Sequence, residues 1–299
     1  ADGSSTVFPI SAAIAEEFQK SKSGKIKITV GVSGTGGGFK KFCRGETDVQ
    51  NASRPIQEKE LEACKAQGVQ FFELPVAFDA LTVVVNPANP LNSISVADLK
   101  KIWAPEAQGQ IMQWNQVNPE WPANPLKLYG AGSDSGTFDY FTEAIVGKSK
   151  SSRGDYSASE DDNVLVKGIE GDKNALGDFG YAYYIENKDK LKALAIDNGK
   201  GPVAPSPETV ENGSYHPLAR PVFIYVNQKS AQRPEVKEFI EFYLKQAPNI
   251  VKQVRYIQLP AEIYTQVIER FQQAKVGTAF SGHSETNLSI HELMKKEPK

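Results

Sequence analysis

Histidine and cysteine are scarce in this chain of 299 residues: His216, His283 and His291 are the only histidines, and Cys43 and Cys64 the only cysteines. Metal spacings such as H-E-x-x-H or C-x-x-C are absent, so no metal site is expected. No G-x-x-x-x-G-K-[ST] occurs, which rules out a Walker A phosphate cradle. G-x-G-x-x-G fails in both glycine-rich loops, where Phe39 and Ser135 take the last position, and G-x-S-x-G is missing too. A Ser-His-Asp triad assembled from distant residues is available in any chain this long and carries no weight. Catalytic residues and cofactors are therefore not expected. Charge of one sign is also lacking: 34 Lys and Arg against 36 Asp and Glu leave a net −2 and a pI near 6.1. There is no basic stripe of the kind a nucleic-acid binder needs. No apolar run approaches the ~18 residues of a membrane span.

What remains is the composition of an ordinary globular protein, 40% hydrophobic and 23% charged. The length suits two domains or lobes. A start at Ala1 rather than Met reads as a targeting segment removed, hence an exported chain. The cysteine pair, 21 positions apart, is open to three readings: a disulfide, two buried thiols, or half a metal site. For an exported chain the disulfide is favoured, tying the helix after residue 38 to the helix holding Lys59 to Lys65.

Three glycine-and-hydroxyl loops run straight into helix-like segments. They are Gly3-Ser4-Ser5-Thr6, Ser33-Gly34-Thr35-Gly36-Gly37-Gly38 and Gly132-Ser133-Asp134-Ser135-Gly136-Thr137. A helix N-terminus offers unpaired N–H groups and a positive dipole end, glycine lets the backbone close in, and Ser or Thr adds a hydroxyl donor. One such loop is an ordinary cap; three suggest a cage of neutral donors around a small oxyanion. Apolar spacing places helices after each loop, near 9–18, 39–43 and 138–145, and further helices near 57–67, 96–103, 236–243 and 263–271. Strands are expected at 26–32, 69–75, 80–85, 126–129 and 221–226. The two β-branched runs at 80–85 and 221–226 bracket a middle block. This predicts an α/β chain with lobe one from 1–85 and 222–299, lobe two from 86–221, and two crossings that act as a hinge.

Four segments together resemble a known family. Gly3-Ser4-Ser5-Thr6-Val7-Phe8-Pro9, Ser33-Gly34-Thr35-Gly36, Asn51-Ala52-Ser53-Arg54-Pro55-Ile56 and Gly132-Ser133-Asp134-Ser135-Gly136-Thr137-Phe138 are similar to the phosphate-binding components of bacterial high-affinity phosphate ABC importers. Asp98–Trp103 with Trp114-Asn115, and Gly177–Tyr183, fit the same pattern, so the resemblance spans nearly the whole chain in order. It implies a periplasmic-binding-protein fold of two α/β lobes joined by two hinge strands, with inorganic phosphate in the cleft. It also implies a membrane ABC permease as partner, a monomer, and a periplasmic or extracytoplasmic location, with any lipid anchor upstream of Ala1.

Two departures stand out. The best-studied branch of the family has an aspartate where this chain has Arg54, and an arginine where it has Ala131. The chain resembles the other branch, whose members begin with Gly-Ser-Ser-Thr. Arg54 and Arg153 are then the expected cations and Asp134 the expected carboxylate, accepting the proton that phosphate keeps near neutral pH and sulfate lacks. The expected ligand set is Ser5, Thr6, Ser33, Gly34, Thr35, Ser53, Arg54, Ser133, Asp134, Ser135, Gly136, Thr137 and Arg153. The competing readings are a receptor for another tetrahedral anion such as sulfate, and a seryl phosphatase or hydrolase acting through the third loop.

Overall fold

The computed structural model describes residues 1–280, 282 and 288–299; His283 lies outside them. The chain opens on β1 (Asp2–Gly3) and α1 (Phe8–Ser21). Pro9 stands in the first turn of α1, where a missing N–H costs nothing. Ile10, Ile14 and Phe18 recur at helical spacing on its buried face. Phe18 meets Phe239 and Phe242 with ring centroids 5.3 and 5.2 Å away. Next come α2 (Thr35–Cys43), β2 (Val49–Ala52) and α3 (Glu58–Ala66). Cys43 and Cys64 form a disulfide that joins the end of α2 to α3, as the cysteine count favoured.

β3 (Phe71–Val85) is one strand, buried along its whole length. The sequence suggests two runs there, because Pro75 and Asp79 interrupt the β-branched pattern. Proline's fixed φ is compatible with extended backbone, so the strand continues through it. α4 (Val96–Trp103), capped by Ser95 accepting from the Asp98 N–H, leads on to β4 (Lys127–Ala131). α5 (Gly136–Phe141) continues as a π-helical turn over Thr142–Val146. β5 (Ser157–Ser159), α6 (Asp162–Glu170) and β6 (Ala175–Gly180) complete the middle of the chain. The Gly/Pro-rich stretch 199–207 contains the short strand Pro202–Val203 paired with Ala195–Asp197. β7 (Ala219–Asn227), α7 (Pro234–Gln253) and α8 (Ala261–Gln272) follow. Among the described residues no helix is long and apolar enough to cross a membrane.

The chain divides into two compact units. The first holds Ala1–Asp79, Glu211–Gly213 and Arg220–Lys299, and the second Ala80–Val210 and Ser214–Ala219. One crossing thus falls inside β3 and another at the head of β7. The sequence boundaries, 85/86 and 221/222, follow the breaker Asn86-Pro87 and the second β-branched run. Composition marks where a strand ends, whereas its packing partners change midway along it.

In the first unit β1 runs parallel to β2, with Asp2 opposite Gln50, and β2 runs antiparallel to β7, with Ala52 opposite Phe223. The segment 26–32, expected as a strand, is not one. It only flanks β1, through bonds from the Ala1 amino group to the Thr29 oxygen (2.9 Å) and from the Gly31 N–H to the Ala1 oxygen (2.9 Å). Exposed Lys27 and Thr29 alternate with half-buried Ile26, Ile28 and Val30 at an edge where a two-residue β1 offers little to pair with. In the second unit β6 runs antiparallel to β3, with Val83 opposite Asp178. β4 lies parallel to both β6 and β5. Parallel neighbours end at the same edge, so the loops that leave β4, β5 and β6 gather there.

Candidate anion-binding loops

In the first unit, the loops after the parallel strands β1 and β2 meet the N-terminus of α2. Gly3 has φ +130°, and a Cβ there would run into the Asn51 backbone oxygen, so only glycine lets β1 lie this close to β2. Ser4 is buried and its Oγ accepts from the N–H groups of Thr6 (3.1 Å) and Val7 (3.4 Å). It therefore shapes the turn into α1. The Thr6 carbonyl accepts from the Tyr256 hydroxyl at 2.6 Å, which ties the same loop to the chain after α7.

The second loop splits into two roles. Ser33 donates to Asp2 Oδ1 at 2.6 Å, and Lys41 donates to Asp2 Oδ2 at 2.7 Å. Burial acts to raise the Asp2 carboxyl, yet the bonds from Lys41, Ser33 and the Gly3 N–H outweigh it and hold the group below its ordinary value. Ser33 is thus a tie between loop and β1, as is Gly34, whose N–H donates to the Gly3 oxygen at 2.9 Å. Thr35 turns the other way. Its Oγ1 lies 3.0 Å from Ser53 Oγ and accepts from the Ser53 N–H at 3.2 Å.

Arg54 joins that pair. A Cβ on Gly36 would sit 3.6 Å from Arg54 Nη2, so the guanidinium borders the backbone at the start of α2. It is held in a fork by Glu60, with Nη2 to Oε1 at 2.8 Å and Nη1 to Oε2 at 3.0 Å, and lies over the Phe39 ring. Glu60 also accepts from the Gln57 N–H at 2.8 Å, closing the capping box of α3. One carboxylate both starts that helix and fixes the plane of the arginine.

In the second unit, Gly132 leaves β4 directly against Glu160, where a Cβ would overlap the Glu160 carboxylate. Glu160 Oε1 accepts from the Asp134 N–H at 3.3 Å. Ser135 is the N-cap of α5, accepting from the Thr137 N–H at 3.1 Å, so the cap is not Asp134. Ser133 and Asp134 are exposed, while Ser135, Gly136 and Thr137 are half-buried.

Arg153 is not brought to any loop. It is 2% exposed, and its guanidinium is committed to Asp155 (2.6 and 2.9 Å) and to the carbonyls of Ile102 (3.1 Å) and Ile111 (2.9 Å). Its hydrogen bonds hold the Asp155 carboxyl at about 2. A guanidinium so committed in the interior has a structural task, and its neighbours Ser152 and Gly154 gave no sign of it.

Three acidic residues important to these loops escaped the sequence reading. Glu60 lies in the helix expected near 57–67, and its place three residues after Gln57 is the capping-box spacing. Glu160 lies in the run Glu160-Asp161-Asp162, three adjacent acids whose composition is that of a solvated turn. Asp178 on β6 is 4% exposed, and burial, with Asp162 second, pushes it up to about 8. A lone acid inside Ala-Leu-Gly-Asp-Phe-Gly was the available signal. Among the described residues no cluster of His, Cys, Asp or Glu could hold a metal.

Comparison with known proteins gives a consistent result. Residues 1–247 match a PBP superfamily domain. Over 298 residues the chain is 55% identical to "Protein SphX" of Synechococcus elongatus, covering 99% of this chain and 88% of that protein. It is 36% identical over 270 residues to "Phosphate-binding protein PstS" of Staphylococcus saprophyticus, covering 89% and 81%. Among solved structures, a possible phosphate binding protein from Planctomyces limnophilus is 50% identical with a TM-score of 0.87, covering 91% of this chain and 96% of that one. A putative phosphate ABC transporter substrate-binding protein from Clostridium perfringens, with bound phosphate, is 25% identical with a TM-score of 0.58, covering 87% and 98%.

Proposed function

Because this chain belongs to the PBP superfamily, and within it to the group of SphX and the phosphate-binding protein PstS, we propose that it captures inorganic phosphate and hands it to a membrane ABC importer. Its fold is the two-lobed α/β fold of that superfamily. The family is one of transport receptors rather than enzymes, and its members work outside the cytoplasm. We take the chain to act as a monomer that turns over no substrate and binds no nucleic acid.

The observation that carries this reading is the convergence of Thr35, Ser53 and Arg54 at the start of α2. Two hydroxyls, a forked guanidinium and a helix N-terminus match the donor geometry that a phosphate oxygen group demands. Ser5 and Thr6 extend the donor set from the first loop. Ser133, Asp134, Ser135, Gly136 and Thr137 supply the donors and the single acceptor of the second unit. Ser33, Gly34 and Arg153 stand outside this set, since their polar groups serve the protein's own frame. Asp134 keeps its proposed role of receiving the phosphate proton, which sulfate cannot offer.

The test is an assay of the purified protein for co-purified phosphate, followed by calorimetric titration once it has been removed. Saturable binding with one phosphate per chain, and no release of chromophore from a chromogenic phosphate ester, is the expected result. Sulfate binding as tight as phosphate, or turnover of the ester, would overturn the proposal.

A further inference from the structure

A small cavity of about 10 Å³, room for one water, lies beneath the third loop of the second unit. Ala131 precedes the loop and Phe138 follows it, and both line the cavity. Trp103, Phe141 and Tyr156 wall it with rings, and Asp178 supplies its carboxyl group. Three parallel strands place that carboxyl there: Tyr129 of β4 pairs with Gly177 of β6, so Asp178 stands beside Gly130, two residues before the loop begins. A Cβ on Gly130 would lie 3.4 Å from Asp178 Oδ1 and 3.1 Å from the Tyr156 ring, so a glycine makes the space.

We propose that Asp178 is a proton-carrying positioning residue: it lies under the anion loop as a neutral acid, and its ionisation opposes capture of phosphate. The inference rests on the reading that phosphate binds at this loop. Among the described residues, those around Asp178 supply no compensating cation. From the head of α6 the charge acting on it is that of Asp162. On the side of β5 stand Tyr156, whose hydroxyl donates to the Ala131 oxygen at 2.8 Å, and Glu160, which holds the loop through the Asp134 N–H. Burial, then Asp178 and Glu160, push the Tyr156 hydroxyl up to about 12, so it stays neutral as well. Opposite, β3 presents Val83. α4 and α5 present the rings of Trp103, Phe138 and Phe141, while Asp139 is paired with Lys150 at 3.8 Å. Arg153, three residues before Tyr156, has its charge committed to Asp155.

The physical consequence is linkage. An anion arriving above a buried acid favours the protonated form, so binding and protonation strengthen each other. With a free-protein value of about 8 for Asp178 and a rise of roughly one unit on binding, the phosphate Kd should weaken about fivefold from pH 7 to pH 9. The experiment is calorimetric titration with inorganic phosphate at pH 7, 8 and 9, for the wild type and for Asp178→Asn, which keeps the shape of a neutral acid. Phosphate's own ionisation is common to both proteins and cancels in the comparison. Equal affinity at pH 7, with the fivefold weakening confined to the wild type, is the expected result. Parallel pH profiles in the two proteins would overturn the inference, whereas failure of the wild type to bind phosphate at pH 7 would overturn the functional reading beneath it. Should Asp178→Asn not fold, Asp178→Ser, also unable to ionise, is read against the same two outcomes.

Discussion

Two arginines that look alike in the sequence have opposite tasks. Arg54 follows a hydroxyl residue and precedes a proline; Arg153 sits among serines and a glycine. Both patterns suit a loop cation, and burial separates them. Arg54 keeps part of its surface, with side-chain exposure of 16%, while that of Arg153 is 2%. Arg54→Gln should therefore raise the phosphate Kd at least about tenfold, or ~1.4 kcal/mol, read by titration. Arg153→Gln leaves a carboxylate and two carbonyls without their donor, and should cost roughly 3 kcal/mol of stability in denaturant unfolding. If Arg153→Gln instead spares stability and abolishes binding, the two assignments are reversed. Ser33 and Thr35 teach the same lesson two residues apart. A hydroxyl in a glycine loop has one sequence signature whether it meets a ligand or another side chain of the protein. The choice is made by a partner far along the chain, Asp2 for Ser33 and Ser53 for Thr35.

At the scale of elements, the helices were the legible part. Apolar residues at helical spacing, Pro9 in the first turn, and Ser95 three residues ahead of Asp98 are local signals, and local bonds answer them. Strands depend on neighbours. The segment 26–32 has strand-like residues but only a two-residue partner, so it stays irregular, while β1 itself is too short to show in any pattern. Between these extremes lies the disulfide, predicted from count and compartment and joining α2 to α3. It has a consequence for the site, since α2 presents Thr35 and α3 presents Glu60, the partner of Arg54. Replacing Cys43 and Cys64 with serine together removes a cross-link enclosing about 20 residues and should lower stability by roughly 3 kcal/mol on the loop-entropy account. Chemical unfolding measures that. A change below about 0.5 kcal/mol would mean that the unfolded chain gains little from losing the link.

Over the whole molecule three buried acids, Glu73, Asp79 and Asp178, are held above their ordinary values, and they set how stability falls as pH rises. Burial raises Asp178 to about 8 and, against the pull of Arg220, raises Asp79 to about 6. Burial raises Glu73 as well, despite bonds from Thr278, the Ala279 N–H and Tyr225. Each of these groups holds its proton more tightly in the folded state. Their contribution is full below the ordinary carboxylate range and is lost as pH climbs through the folded value, near 6 for Asp79 and near 8 for Asp178. Asp155 works in the other direction: Arg153 lowers it to about 2, so its contribution is present above the ordinary range and vanishes as pH falls towards 2. The folded protein should therefore be most stable in acid solution, in the ordinary carboxylate range at about pH 4, and lose several kcal/mol in order of magnitude by pH 8. Asp178→Asn removes one of the groups responsible, and its advantage over the wild type should grow by about 1.4 kcal/mol per pH unit between roughly pH 5 and 8. Thermal unfolding of both proteins at pH 5, 6.5 and 8, without phosphate, checks the slope. Melting temperatures that differ by a constant offset would show that Asp178 titrates as an ordinary surface acid, and its buried place beside Gly130 would then have no electrostatic cost to explain.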